Sequence, residues 1–441
     1  MRDILILLVV VAGVLATFRF PFVGVLLWAW FTVMTPHQLA YGVFGIPLNV
    51  IIAAATIGSA VINGDIKNFR IDKVTVGLVM FSLWLWISQL NSLEPSISAE
   101  YFDRFIKTLV FAMVVIQLTN TRLRAHALLW VLVLGVGFFG AKGGLFTFLT
   151  LGQYRVQGIE TTILEDNNHL GIAMATILPL MVYLREQSAR PVTKRCLEAM
   201  LALTLVAILG THSRGALISL LVFGGFFWLY SKQKLLISVG FIAVACIGLM
   251  FMPAAWTERM ATIGSAGEDA SFQGRVDAWL INIRFANDNP LTGAGLRIPY
   301  EPDIAKKVAP ELAESAKAAH SIYFEILGGS GYVGLSIFLM TLGLAVITAM
   351  VSAKRRQGSS RGSGSWTGRF NYFAQISLLT FCVGGASVSM EMWDGYWLII
   401  ALIAATARIP DEGTVITRPQ TRPSWRATAR GLSAPRPRPA E

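Results

Sequence analysis

Long apolar runs alternate with short polar breaks from the first residues of the chain to about residue 408. A membrane-crossing helix takes about 20 apolar residues. Segments of that kind lie at 4–18, 21–35, 44–62, 74–90, 104–119, 127–150, 168–184, 197–212, 215–231, 234–252, 321–351, 371–390 and 393–408. The first two are short and split by Pro21, which fits a tight hairpin or a re-entrant pair. The pattern predicts an all-α, polytopic integral membrane protein with about 12 transmembrane helices. One stretch breaks the rule: Pro253 to His320 is long and polar. A loop of that size between spans is normally functional or disordered. The chain thus divides into transmembrane helices over 1–252, a loop over 253–320, further transmembrane helices over 321–408 and a tail over 409–441.

Inside the long loop the pattern is helical. Apolar residues fall at 272, 276, 279, 280 and 283, with Ser271 placed to cap the helix. Such a helix lies on a membrane surface or over a cavity. The Asn289-Pro290 step and the glycines of PLTGAGL then mark a tight turn, where Gly293 and Gly295 allow backbone to approach a ligand. No strand precedes them, so a dinucleotide fold is excluded.

Composition agrees with the pattern. Hydrophobic residues make up 54% of the chain, charged residues 14%, and mean hydropathy is +0.58. Soluble proteins carry roughly 25% charged residues. The formal charge of +11 sits in short loops and the tail, as membrane topology requires and nucleic-acid binding does not. The basic loops are 63–73, 121–126, 185–195, 231–234 and 352–369; the acids concentrate in 91–104 and 153–168. The alternation places the basic loops and the C-terminus in the cytoplasm and the 253–320 loop on the far side. Ile4–Phe18 lacks a small-residue cleavage site, and another apolar run follows at once; it is expected to be retained. From Ile409 the tail is polar and carries six Arg between Arg418 and Arg438, a composition that stays disordered and can touch anionic lipid. Cys196, Cys246 and Cys382 have no metal or redox spacing and read as apolar-phase residues.

Few residues offer chemistry. Arg214, in THSRGALISL, lies in a short turn at the outer boundary, where a charge is costly unless paired or used. His212 and Ser213 stand beside it to orient it. Arg275 flanks the helical stripe, with Asp277 and Glu268 as alternative partners; Arg284 and Arg259 read as solvated charge. His320 closes the loop and, with Tyr323, Phe324 and Leu327, would share a helix face. An imidazole at a helix start has its pKa lowered by the dipole, which suits a general base. His169 opens a span on the same side, after Asp166, Asn167 and Asn168, which either cap the helix or line a cavity. His37 and His126 have no informative neighbours. HExxH, paired His/Cys sets and Walker A are absent from the sequence, so no metal or cofactor is expected.

Three segments taken together, THSRGALISL, FQGRVDAW and HSIYFEILGGSGYVGL, resemble the O-antigen ligase/polymerase superfamily of bacterial membrane enzymes. The likeness is greatest to the O-glycosylation ligases associated with exosortase systems. It runs over roughly residues 70 to 405 and is strongest from 205 to 340. It implies transfer of a glycan from a polyprenyl diphosphate carrier to a protein or lipid acceptor, on the periplasmic side of the bacterial inner membrane and without a metal. In that reading Arg214 and Arg275 hold the diphosphate, and His320 activates or orients the acceptor hydroxyl. His169, Tyr323, Gly293 and Gly295 complete the expected substrate site. Ser321 stands where the family favours Asn, and Gly329 where it favours Glu; these departures bear on the acceptor rather than the donor.

A polysaccharide polymerase would use the same donor with a growing chain as acceptor. A transporter or flippase would need ionisable residues at mid-span and paired broken helices. Lys142 with the glycines at 143 and 144 is the sequence's one such feature. A structural subunit would use the loop only as a docking surface, and would tolerate loss of Arg214, Arg275 and His320.

Overall fold

A computed structural model describes residues 2–40, 42, 45–66, 69, 71–230, 234–235, 239–240, 256, 270–357 and 365–410. Cys246, Arg259, Glu268, the tail beyond 410, and most of the expected span at 234–252 and of the polar linker at 358–365 lie outside them. The regular elements among the described residues are helices: α1 (Arg2–Arg19), α2 (Pro21–Val33), α3 (Leu48–Ile62), α4 (Lys73–Leu90), α5 (Pro95–Leu118), α6 (Arg122–Leu149), α7 (Asn167–Gln187), α8 (Pro191–Gly210), α9 (Arg214–Tyr230), α10 (Ala270–Asp288), α11 (Pro302–Val308), α12 (Ile322–Gln357), α13 (Trp366–Gly385) and α14 (Asp394–Thr406).

Local chemistry explains where these helices begin. Proline, which has no N–H to lose, occupies the first turn of α2, α5, α8 and α11. Side chains cap others: Asp72 accepts from Thr75 N–H, Thr121 from Arg124 N–H and Ser365 from Gly368 N–H. Several polar breaks therefore shrink. The expected loop at 91–104 is helical from Pro95 onward, and the one at 121–126 from Arg122. Helix α10 starts at Ala270, which puts Ser271 in its first turn rather than ahead of it.

Four described helices are long and apolar enough to cross a membrane: Lys73–Leu90, Arg122–Leu149, Asn167–Gln187 and Ile322–Lys354. Four shorter apolar ones accompany them: Pro21–Val33, Leu48–Ile62, Arg214–Leu229 and Asp394–Thr406. Helix α7 forms the centre, with 83% of its apolar window buried. Helix α14 is buried from Gly395 to Thr406. Its Tyr396 stacks on Phe381 at 4.2 Å, and its Trp397 lies among Phe81, Phe105 and Phe338. Helices α6 and α8 approach almost to backbone contact. A Cβ at Gly144 would fall 2.0 Å from the Leu203 carbonyl oxygen, and one at Gly140 2.2 Å from Thr204 Oγ1. Small residues permit such close crossings in membranes. The glycines beside Lys142 are therefore packing residues, and Lys142 itself faces outward.

The two ends of the bundle differ. At one end basic residues meet acids and helix ends: Arg369 pairs with Glu186, Arg408 with Asp72, and Arg185 with Glu198 at 2.6 Å. His126 Nε2 meets the Tyr183 hydroxyl there at 3.0 Å. The other end carries the turns before α5, α7, α9, α12 and α14, with α10 and α11 laid across them. Helix α10 packs on α12, and of the apolar stripe its sequence suggested Trp279 stacks on Phe324 at 5.0 Å, but the fully buried positions lie beside that stripe. Ala278, Ile281, Asn282 and Phe285 are buried, whereas Leu280 is 41% exposed. The reason is Gly328 of α12, where a Cβ would lie 2.0 Å from Asn282 Oδ1. The close approach needs the short Ala278 and Asn282 at the contact, with Ile281 and Phe285 buried on either side.

Candidate functional site

That second end holds a cavity of about 240 Å³ lined by Arg155, Asp166, Asn167, Asn168, Arg275, Lys317 and His320. Sites that engulf a drug-sized ligand measure about 300–1,000 Å³. This one suits a head group. Three cations face one carboxylate across it, so positive charge is in excess. Asp166 stays ionised: burial works against its charge, but His169 and the Asn168 and His169 amides outweigh burial and lower its pKa.

Each wall is fixed by its own element. Asp166 caps α7, accepting from Asn168 N–H at 2.8 Å and His169 N–H at 3.4 Å. Asn167 is buried and donates to the Thr211 carbonyl at 2.6 Å, tying α7 to the turn before α9. The Asp-Asn-Asn run thus both caps the helix and lines the cavity. Arg275 reaches in from the start of α10, and its Nη1 donates to the Ser387 carbonyl at 3.3 Å. Lys317 lies directly over Gly274, where a Cβ would sit 2.3 Å from its Nζ.

His320 stands just outside α12, which begins at Ile322. Its φ of 48° is left-handed, so it shares no helix face with Tyr323, Phe324 and Leu327. Its backbone N–H donates to Ser389 Oγ at 3.1 Å. The imidazole pKa is pushed down to about 4, first by burial, then by Arg275 and His169, with Lys317 adding and Asp166 opposing. Burial and the neighbouring charges, which the sequence did not reveal, carry this shift. His320 is neutral at neutral pH.

The remaining expected residues lie around the cavity rather than in its lining. Arg214 begins α9, next to Gly215, where a Cβ would lie 2.2 Å from Ser387 Oγ. The segment that holds Arg275 therefore also abuts the start of α9. His212 Nε2 meets the Gly152 carbonyl at 3.0 Å, and Ser213 Oγ accepts Ala216 N–H at 3.1 Å, so both brace this turn. His169 Nδ1 meets the Ile163 carbonyl at 2.7 Å, and the ring is not part of the lining. The Tyr323 hydroxyl donates to the Cys382 carbonyl at 2.7 Å, which turns it toward α13. Gly293 and Gly295 have φ of 67° and 105°. The backbone they approach belongs to α12: Ala294 N–H donates to the Gly328 carbonyl and Gly295 N–H to that of Gly329. Their conformational freedom serves loop-on-helix packing. Arg284 pairs with Glu311 on the surface.

Sequence patterns missed a buried polar network behind His320. Glu325 Oε1 accepts from Ala319 N–H at 2.9 Å and from the hydroxyls of Tyr300 and Ser389. Arg297 pairs with Glu391 at 3.5 Å and lies over the Tyr101 and Tyr300 rings. Burial opposes the charge on Arg297, but Tyr300, Glu391 and Glu325 hold its pKa above the ordinary value. Glu391 is pushed up to about 7, because burial and Glu325 outweigh Arg297. One signal was legible: Glu325 is a carboxylate at the start of a long apolar run, and intramembrane acids are rarely idle. Lys317 and Arg155 gave none, since they read as ordinary loop charges.

A larger cavity of about 460 Å³ lies between α3 and α5, lined among others by Trp28, Phe139, Asp103, Arg104, Lys107 and Asp394. Thr161–Leu164 line it, so the loop before α7 contributes to both cavities.

Long apolar helices and a cationic cavity at one end define the class: a membrane protein with a cavity whose charge suits an anion. Residues 199–339 match the family described as O-antigen ligase. That span contains Arg214, Arg275, Lys317 and His320. Residues 1–189 match a family of unknown function, and this part supplies Arg155, Asp166, Asn167 and Asn168. No curated protein matches the chain. The O-antigen ligase match, over about a third of the chain, supports a membrane glycan ligase or polymerase.

Proposed function

We propose that the chain is a membrane glycan ligase that moves a glycan from a polyprenyl diphosphate onto a hydroxyl of a protein or lipid acceptor. The observation that carries this reading is one cavity holding Arg275, Lys317 and Arg155 beside a neutral His320. The acceptor oxygen attacks the anomeric carbon as the bond to the diphosphate oxygen breaks, and the bonding pair leaves with the diphosphate. His320 takes the hydroxyl proton. Arg275 forks onto phosphate oxygens, with Lys317 and Arg155 as point charges and Arg214 serving the same group from the start of α9. Bonds that strengthen as charge develops lower the barrier. The cations do the neutralising work of a metal, so activity should survive a chelator.

Orientation follows from charge. Arg122, Arg185, Arg369 and Arg408 gather at the opposite end, which supports a cytoplasmic basic end and a cavity on the periplasmic side of the inner membrane. The close kinship proposed is with O-glycosylation ligases of exosortase systems.

The test is a purified full-length chain, a polyprenyl diphosphate glycan and a defined acceptor, in chelator, with the product read by NMR. A single displacement inverts the anomeric centre; a retained configuration would overturn the mechanism. Arg275→Lys keeps the charge and loses the fork, at a cost of about 10–100-fold in turnover, from roughly 1.5–3 kcal/mol per charge-assisted bond.

A further inference from the structure

We infer that Glu325 and Ser389 are positioning residues that set the orientation of His320. The inference rests on the reading of His320 as the base in glycan transfer. Neither residue lines the cavity: Glu325 is 5% exposed and Ser389 3%. Each acts through the backbone on one side of His320. Ala319 N–H donates to Glu325 Oε1, and His320 N–H donates to Ser389 Oγ, whose hydroxyl donates in turn to Glu325 Oε1. Two successive amides are thus anchored to one carboxylate oxygen, directly and through one hydroxyl.

The anchor is needed because His320 adopts a left-handed conformation, which a side chain with a Cβ leaves unless its surroundings hold it. Released, it would relax and swing the imidazole away from Arg275. Tyr300 donates to the same oxygen, so the short turn at Ile298–Tyr300 locks the carboxylate. The 386–393 segment does double duty: the Ser387 carbonyl holds Arg275 while the Ser389 hydroxyl holds His320. The relative placement of base and phosphate clamp is therefore set by one short loop, which lies outside both family matches.

The test is transfer kinetics on the purified full-length chain across pH, with a polyprenyl diphosphate glycan and a hydroxyl acceptor. Ser389→Ala removes one oxygen. Glu325→Met keeps the volume without an acceptor, and Glu325→Gln keeps an acceptor. Ser389→Ala and Glu325→Met are expected to lower kcat about 100-fold, the scale of an ångström of misplacement, with donor KM little changed. Glu325→Gln should lose only about tenfold, because a neutral acceptor is weaker than a charged one, and Ser389→Thr should restore activity. The groups facing His320 are Arg275 on α10, Asp166 and His169 at the start of α7, Lys317 on its own loop, and Arg155 across the cavity. Moving His320 off this cluster should raise the acid limb of kcat/KM for the donor, the free-enzyme profile, from near 4 toward the ordinary 6.5. A role confined to stability would lower the yield of folded protein and leave that limb in place, which would overturn the inference. So would unchanged kcat in Ser389→Ala, the variant least able to disturb folding. His320→Ala run in parallel separates the two claims. Full activity in His320→Ala sinks the functional reading. An inactive His320→Ala beside a fully active Ser389→Ala sinks the positioning alone.

Discussion

Burial and two cations hold His320 neutral far below the pH where histidine ordinarily titrates, which makes it available but weakly basic in the empty site. A bound diphosphate would cancel Arg275 and Lys317, and the imidazole would gain basicity just when the acceptor needs it. The pH profile should show this. For the free enzyme, kcat/KM for the donor should fall on the acid side near pH 4, and the acid limb of kcat should lie higher, toward 6.5. Coincident limbs would contradict the coupling. His320 and Arg275 were legible in the sequence because each is a charge-capable residue at the margin of an apolar pattern. Lys317 and Arg155 were not, because nothing distinguishes a loop cation that faces a cavity from one that faces water. Tyr323 misled for a related reason: its place one turn from His320 assumed a helix that starts two residues later.

Among the elements, α12 has the most consequential irregularity. It bends at Gly331, where φ is 71° and ψ is −176°. The bend lets Tyr332 N–H reach the Pro290 carbonyl at 2.9 Å, docking the loop that continues to Arg297. A Cβ at Gly331 would lie 2.3 Å from the Leu291 carbonyl oxygen. Gly331→Ala should therefore destabilise the protein by at least about 1–3 kcal/mol, the cost of a strained backbone alone. A melting curve in detergent checks this, and an unchanged midpoint would refute it. Sequence periodicity located α10, the turn after it and Trp279, which stacks on Phe324, but not the neighbouring positions that α10 buries completely. Apolar positions fall on two sides of that helix, and only the close approach at Gly328 decides between them. Likewise Gly293 and Gly295 announced a close approach without saying that the partner was the protein's own helix.

Taken whole, the molecule was readable as a helical membrane protein from composition and run length alone. Span counting was less informative, since α2 and α14 have 13 residues each, about 20 Å at 1.5 Å per residue, against a hydrocarbon core of about 30 Å. The charge balance behind the cavity was invisible, because Arg297, Glu325 and Glu391 come together only in the fold. It predicts a compensated pH response. His320 titrates lower in the folded state than unfolded, so its contribution to stability is lost as pH falls from 6.5 to about 4. Glu391 titrates higher when folded, so its contribution is lost as pH rises from 4.5 to about 7. In the wild type the two slopes oppose each other. Glu391→Gln should show a melting temperature that drops toward acid, and His320→Gln one that drops toward neutrality; matching slopes in the two variants would contradict the assignment.

The cationic cavity is the proposed place of glycan transfer. The most direct test of this compares release of polyprenyl diphosphate by purified wild type and His320→Ala, with the same donor and acceptor and no divalent cation. Loss of the base should slow release by about 10²–10⁴-fold while the variant still binds donor. Equal rates in the two proteins would contradict it.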